Sequence, residues 1–92
     1  MVVKDKPYED QELNSWSFIR TFKRDMLNEE LVWHRDRNGR FIEILEGDNW
    51  EIQFDDKLPN KLQKGDKFFI PAKTYHRIKR GNSDLKIKVE EL

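Results

Sequence analysis

The sequence predicts an all-β domain, an antiparallel sandwich or barrel of short strands. Three observations carry this. Apolar residues alternate with polar ones in several short runs, as strands with one buried face require. The four glycines, at 39, 47, 65 and 81, fall between those runs, so turns recur at the spacing of a sandwich or barrel. No stretch of the chain sustains a helical period over a helix's length.

The elements follow in order. Residues 1–13 are polar and charged and contain Pro7, which reads as a loose arm or an added edge segment ahead of a single domain over 14–92. Residues 15–22 place Trp16, Phe18 and Phe22 on one face, with Arg20 interrupting it. The charged run 23–30 reads as a loop or a single helical turn. Residues 31–35 form a strand, Asn38-Gly39 a tight hairpin turn, and 40–46 the returning strand. Gly47-Asp48-Asn49 turns again, and 50–54 alternates with period two. A polar connection containing Pro59 leads to a turn at Gly65-Asp66 and a strand over 67–70 that Pro71 closes. Residues 74–79 make another strand. In the last one, Leu85, Ile87 and Val89 face one way while Lys86 and Lys88 face the other.

Composition narrows the function. The 92 residues carry 18 basic and 18 acidic side chains, so global charge gives no pull toward nucleic acid or an anionic membrane. The basic cluster of Lys73, Arg77, Lys79, Arg80, Lys86 and Lys88 reads as solvated outer-face charge. No cysteine is present, which removes disulfides and thiolate metal sites. With no membrane-length apolar run and no apolar N-terminal leader, the expectation is a soluble, cytoplasmic protein with no membrane partner. Only 36% of residues are hydrophobic, so the core is thin, and pairing with a second copy would add to it.

The only two histidines are His34 and His76. Alternate residues of a strand share a face, so His34 and Asp36 point the same way, beside Val32. His76 shares a face with Thr74 and Ile78. Closure of a barrel can bring the three side chains to one point. Two imidazoles and a carboxylate are the ligand set of the facial triad that holds non-haem Fe(II), and Zn, Mn or Ni accepts the same donors. A single histidine is more often a satisfied core residue than a ligand, and only the joint spacing raises this pair above that. Trp33, Trp50, Phe69 and Tyr75 are ordinary core or dimer-surface aromatics before they are pocket walls. His34-Arg35-Asp36 is not a kinase catalytic loop, since Phe41 stands where that loop needs asparagine.

This two-motif layout resembles the cupin superfamily of small jelly-roll barrels, the double-stranded β-helix. His34 and Gly47 match the first motif, Asp36 stands at its second histidine, and Asn28 takes its opening glycine. Gly65, Pro71 and His76 match the second motif, where Lys73 replaces a glycine and Arg80 an asparagine. The resemblance covers about residues 28–90 and implies a cupin-type barrel, a divalent metal ion on His34, Asp36 and His76, a small-molecule ligand and a homodimer. Arg40 stands where the family usually has a ligating glutamate. One reading makes Arg40 the anchor of a substrate carboxylate. The other pairs it with Asp36 and leaves the barrel metal-free, as a ligand-binding or assembly module. As an enzyme, the resemblance implies dioxygenase-like or isomerase-like chemistry. The 2-oxoglutarate-dependent oxygenases share only the triad with this chain, and Lys86, their would-be co-substrate anchor, is expected to point outward.

Overall fold

The computed structural model describes residues 8–25 and 31–92. Two antiparallel sheets face each other. The first has the strand order β1-β2-β8-β3-β6 and the second β5-β4-β7. In chain order the strands are β1 (Tyr8–Asn14), β2 (Ser17–Phe22), β3 (Arg40–Glu46), β4 (Glu51–Phe54), β5 (Asn60–Lys61), β6 (Lys67–Ile70), β7 (His76–Lys79) and β8 (Leu85–Glu91). The described residues contain no helix, hence none long and apolar enough to cross a membrane. This is the cupin-type β-sandwich that the turn spacing and the two motifs predict.

Strand β8 organises the larger sheet, because it pairs with β2 on one side and β3 on the other. Its period-two pattern buries Leu85, Ile87 and Val89 while Lys86 and Lys88 face outward. Ile42 and Ile44 of β3 meet this row from the same sheet, and Ile52 of β4 closes over it from the other. Trp50 is fully buried, and its indole N–H donates to the Ser83 carbonyl at 2.7 Å, so its one polar atom is satisfied.

Several expectations need correction. Residues 31–35 are not a full strand: only His34 is bridged, to His76. The Asn38-Gly39 hairpin does not form, since β3 pairs with β6 and β8 and not with the segment before it. Neither Asn38 nor Gly39 has the positive φ that such a turn needs. Gly39 is there for space instead, because a Cβ on it would meet the Phe69 ring at 2.6 Å. The chain at this point crosses from the second sheet to the first. The proposed boundary at residue 13 falls inside β1, which pairs with β2 from Tyr8↔Phe22 to Asn14↔Ser17, so residues 8–14 are the added edge segment and not a loose arm. Residues 1–7 and 26–30, with Asn28 among them, lie outside the described residues. The connection over 55–64 holds the short strand β5, and Leu62 beside it is buried.

Two positions give opposite stability predictions. Lys73 sits at φ 60, in the left-handed region that costs an L-residue about 1–2 kcal/mol. Part of that gain is cancelled by the freedom glycine has when unfolded, so Lys73→Gly stabilises the fold by about 0.5–1 kcal/mol. At Gly81 a Cβ would run into the Asp48 carbonyl oxygen and the Trp50 ring. Gly81→Ala therefore destabilises by about 1–3 kcal/mol. Urea unfolding of both variants against wild type checks the two signs.

Candidate metal centre

The site begins with a backbone contact. The His34 N–H donates to the His76 carbonyl at 3.0 Å, and the His76 N–H donates to the His34 carbonyl at 2.9 Å. Residues that exchange both hydrogen bonds in an antiparallel pair lie directly opposite and project to the same face. The two imidazoles therefore stand side by side, with ring centroids 4.4 Å apart. Asp36, two residues on, shares that face. Its carbonyl accepts the Lys73 N–H at 2.7 Å, which ties the segment down a second time and explains why Lys73 tolerates its left-handed backbone.

Ring orientation is fixed as well. His34 Nδ1 lies 2.9 Å from the Val32 carbonyl, and His76 Nδ1 lies 2.7 Å from the Thr74 carbonyl. A carbonyl oxygen only accepts, so each Nδ1 carries the proton and, in the neutral ring, each Nε2 keeps a free lone pair. This is the arrangement that outer partners impose on metal-binding histidines. One donor atom from each of His34, Asp36 and His76 falls within 4.8 Å of the others. His76 is 3% exposed, Asp36 is half-buried and His34 is exposed, so the cluster sits at the rim of the interior.

Asp36 is held from two sides. Oδ2 lies 3.4 Å from His76 Nε2, and Oδ1 lies 3.6 Å from Arg40 Nη1. Arg40 turns its other edge to Glu91, whose Oε2 accepts from Nε at 3.1 Å and from Nη2 at 2.9 Å. The expected contact between Arg40 and Asp36 is thus present, but Glu91 is the closer partner. Burial holds the His76 pKa below its ordinary value of 6.5 and outweighs the Thr74 carbonyl, which favours the cation. The neighbouring His34 and Arg40 also oppose protonation of His76, whereas Asp36 favours it.

A cavity of about 340 Å³ opens from the cluster into the space between the sheets. His34, Asp36, Arg40 and His76 all border it, with Val32 and Ile78 as the strand alternation requires. Its floor is aliphatic, formed by Ile42, Ile70, Ile87 and Val89. Thr74 does not border it, and neither does Lys86. Of the four aromatics considered above, Trp50 is core, while Trp33, Phe69 and Tyr75 are exposed and away from the cavity. Arg77 lies over the Trp33 ring and Arg35 over the Tyr75 ring, on the outer surface. Arg80 departs from the outer-face expectation, since its Nε and Nη2 are buried without a hydrogen-bond partner among the described residues.

Two cavity residues were not recognised in the sequence. Tyr8 belongs to the segment read as an arm, and Arg20 appears there only as an interruption of an apolar face. That interruption was the signal. Arg20 points inward with its guanidinium 3.6 Å from the centre of the Tyr8 ring, and Asp10 takes its Nε and Nη2 at 2.8 and 3.0 Å.

Among solved structures the chain is similar to a cupin domain from Bordetella pertussis Tohama I, with a TM-score of 0.63 at 11% identity over 98% of this chain and 99% of that one. It is also similar to HppE in its Co(II) form with Tris buffer, with a TM-score of 0.73 at 15% identity over 100% of this chain and 57% of that one. A third similar structure is the DMSP lyase DddQ from Ruegeria pomeroyi DSS-3, with a TM-score of 0.69 at 17% identity over 82% of this chain and 36% of that one. The chain thus spans little more than half of HppE and about a third of DddQ. No protein-family model matches the sequence, and no curated protein matches it. At such identities the likeness is one of fold.

The lowered His76 pKa has a signed consequence for stability. The folded-state value lies below the unfolded one, so protons favour the unfolded chain. The contribution of neutral His76 is complete above about pH 6.5 and is lost progressively as the pH falls below that. Thermal unfolding between about pH 8 and pH 5 is expected to show a declining midpoint, and His76→Asn to flatten the decline. An equal decline in the variant would assign it to other groups.

Proposed function

From the cupin fold that this chain adopts, we propose that the protein holds a divalent cation through His34 Nε2, Asp36 and His76 Nε2, and binds a small molecule in the adjoining cavity. The observation that carries this reading is the pair of Nδ1 contacts to the Val32 and Thr74 carbonyls. They aim two unprotonated Nε2 atoms and a carboxylate at one place. That two of the similar structures are of HppE in its Fe(II) and Co(II) forms supports the choice of a divalent transition metal. The donor set suits Fe(II) and also accepts Mn, Ni or Zn.

Each part of the chain has a task. His34 and His76 supply neutral nitrogen donors, and burial keeps His76 neutral near pH 7. Asp36 supplies the one anionic donor. Arg40 holds Asp36 Oδ1 and thereby leaves Oδ2 turned toward His76. Arg40 also borders the cavity, where its guanidinium can donate to an anionic group of a ligand. The aliphatic floor packs the ligand's apolar part and keeps water from it. When bound, the cation supplies Lewis acidity or, as iron, a redox centre with open positions for ligand or oxygen.

A specific observation favours a second reading, a metal-free binding module. Asp36 already has both oxygens near cations or potential cations, His76 and Arg40. In that case the cluster would be a self-contained polar network at the mouth of a ligand cavity.

Metal analysis and calorimetry separate the two. The protein is expected to take up about one divalent cation per chain, and His76→Ala to lose affinity by about 100-fold or more. Protein that stays metal-free when titrated with Fe(II), Mn(II), Ni(II) and Zn(II) in turn would leave the second reading standing.

A further inference from the structure

We propose that Glu91 sets the charge of the cavity, and that the cavity therefore takes a small monoanion with a compact apolar body. The inference rests on the divalent-cation reading above. It starts from the register of the larger sheet, in which Glu91 of β8 is the direct partner of Arg40 of β3. The Glu91 carboxylate takes both Nε and Nη2 of Arg40 through one oxygen, Oε2, and leaves Nη1 to Asp36. Arg40 is 18% exposed and Glu91 37%, so Glu91 reaches the guanidinium from the solvent side.

Arg20, the other cation at the cavity wall, is matched in the same way by Asp10. Both arginines are thus compensated by acids that do not themselves border the cavity. Among the described residues the wall and its paired acids then sum to one negative charge, because Arg40 is shared between Glu91 and Asp36 while Arg20 is matched by Asp10. With both imidazoles bound as neutral donors, a divalent cation on Asp36 then leaves one net positive charge in a wall whose remaining side chains, apart from the Tyr8 hydroxyl, are apolar. An uncompensated charge in such surroundings is costly, and one anionic group removes the cost. A neutral ligand would leave it in place, and a dianion would overshoot it.

The size and lining of the space define the rest of the ligand. A volume of about 340 Å³ is near the lower limit of small-molecule sites. The floor of Ile42, Ile70, Ile87 and Val89 offers no hydrogen-bonding side chain. A branched carboxylate of about four to six carbons suits both constraints. Glu91 also keeps Arg40 from pairing fully with Asp36, so it acts as a positioning residue for the anionic donor.

The test uses the whole 92-residue chain, first titrated with Mn(II) by calorimetry. The Mn(II)-loaded protein is then titrated with 3-methylbutanoate, its neutral amide 3-methylbutanamide, and the dianion methylsuccinate. The monoanion is expected to bind about tenfold more tightly than either of the others. Glu91→Gln adds one uncompensated positive charge and is expected to move the preference to methylsuccinate, while Glu91→Asp restores the wild-type order. Circular dichroism checks that each variant is folded. If Mn(II) binds but the amide or the dianion matches the monoanion on wild type, the inference is overturned and the cation reading stands. That outcome needs no variant to fold. An unchanged order in folded Glu91→Gln overturns it in the same way. Where Mn(II) does not bind, whichever of Fe(II), Ni(II) and Zn(II) does takes its place, and failure of the protein to bind any of the four overturns both.

Discussion

The site depends on one constraint, the reciprocal pair of backbone hydrogen bonds between His34 and His76. Everything else about the cluster follows from it. The pair puts two residues 42 positions apart directly opposite each other, and strand alternation then brings Asp36 to the same face. No side-chain packing is needed to choose the face, because the backbone has already chosen it. A one-residue slip of this pairing would turn His34 and Asp36 outward together. The chain guards against that slip with a second tie, from the Lys73 N–H to the Asp36 carbonyl, even though it requires a left-handed backbone at a lysine.

The interior is correspondingly divided. Around Trp50, Leu85 and Ile44 it is filled, and these are among the most completely buried side chains. Toward His76 it opens into the cavity, where the same rows of aliphatic residues continue as a floor. A small domain has little buried surface to give up. Keeping a cavity therefore costs stability that the same strands would gain by filling it. Such an unfilled end suits the proposed small-molecule ligand, which the polar cluster at its mouth would orient.

The sequence made the fold legible because its strongest signal, period-two alternation, is the same physical quantity that the sheets use. Leu85, Ile87 and Val89 could be assigned to the core with no further information. The triad was legible for the same reason, since His34 and Asp36 share a parity. What could not be read was pairing across long separations. Asn38-Gly39 has the composition of a hairpin turn, yet the chain there leaves one sheet for the other, and Gly39 answers to the Phe69 ring rather than to turn geometry. Tyr8 and Asp10 looked like part of a charged arm because an edge strand exposed to solvent shows little alternation in hydrophobicity. The partner of Arg40 was equally hidden, for Glu91 lies at the far end of the chain and only the β3–β8 register brings the two together.

That register also resolves the apparent conflict of a cation beside a metal centre. In the family that the sequence resembles, a glutamate at this position would add a negative charge and a donor. Here the position holds Arg40, and Glu91 cancels its charge from outside the cavity. Under the proposed reading, the result would be neither a four-donor site nor a repelled cation, but a three-donor site with one negative charge fewer. Removing a donor opens a coordination position, and removing its charge makes the loaded site more positive. Both changes favour a ligand that brings its own anionic donor. If His34, Asp36 and His76 hold a cation as proposed, arginine at position 40 changes what the cavity would accept rather than the donor set.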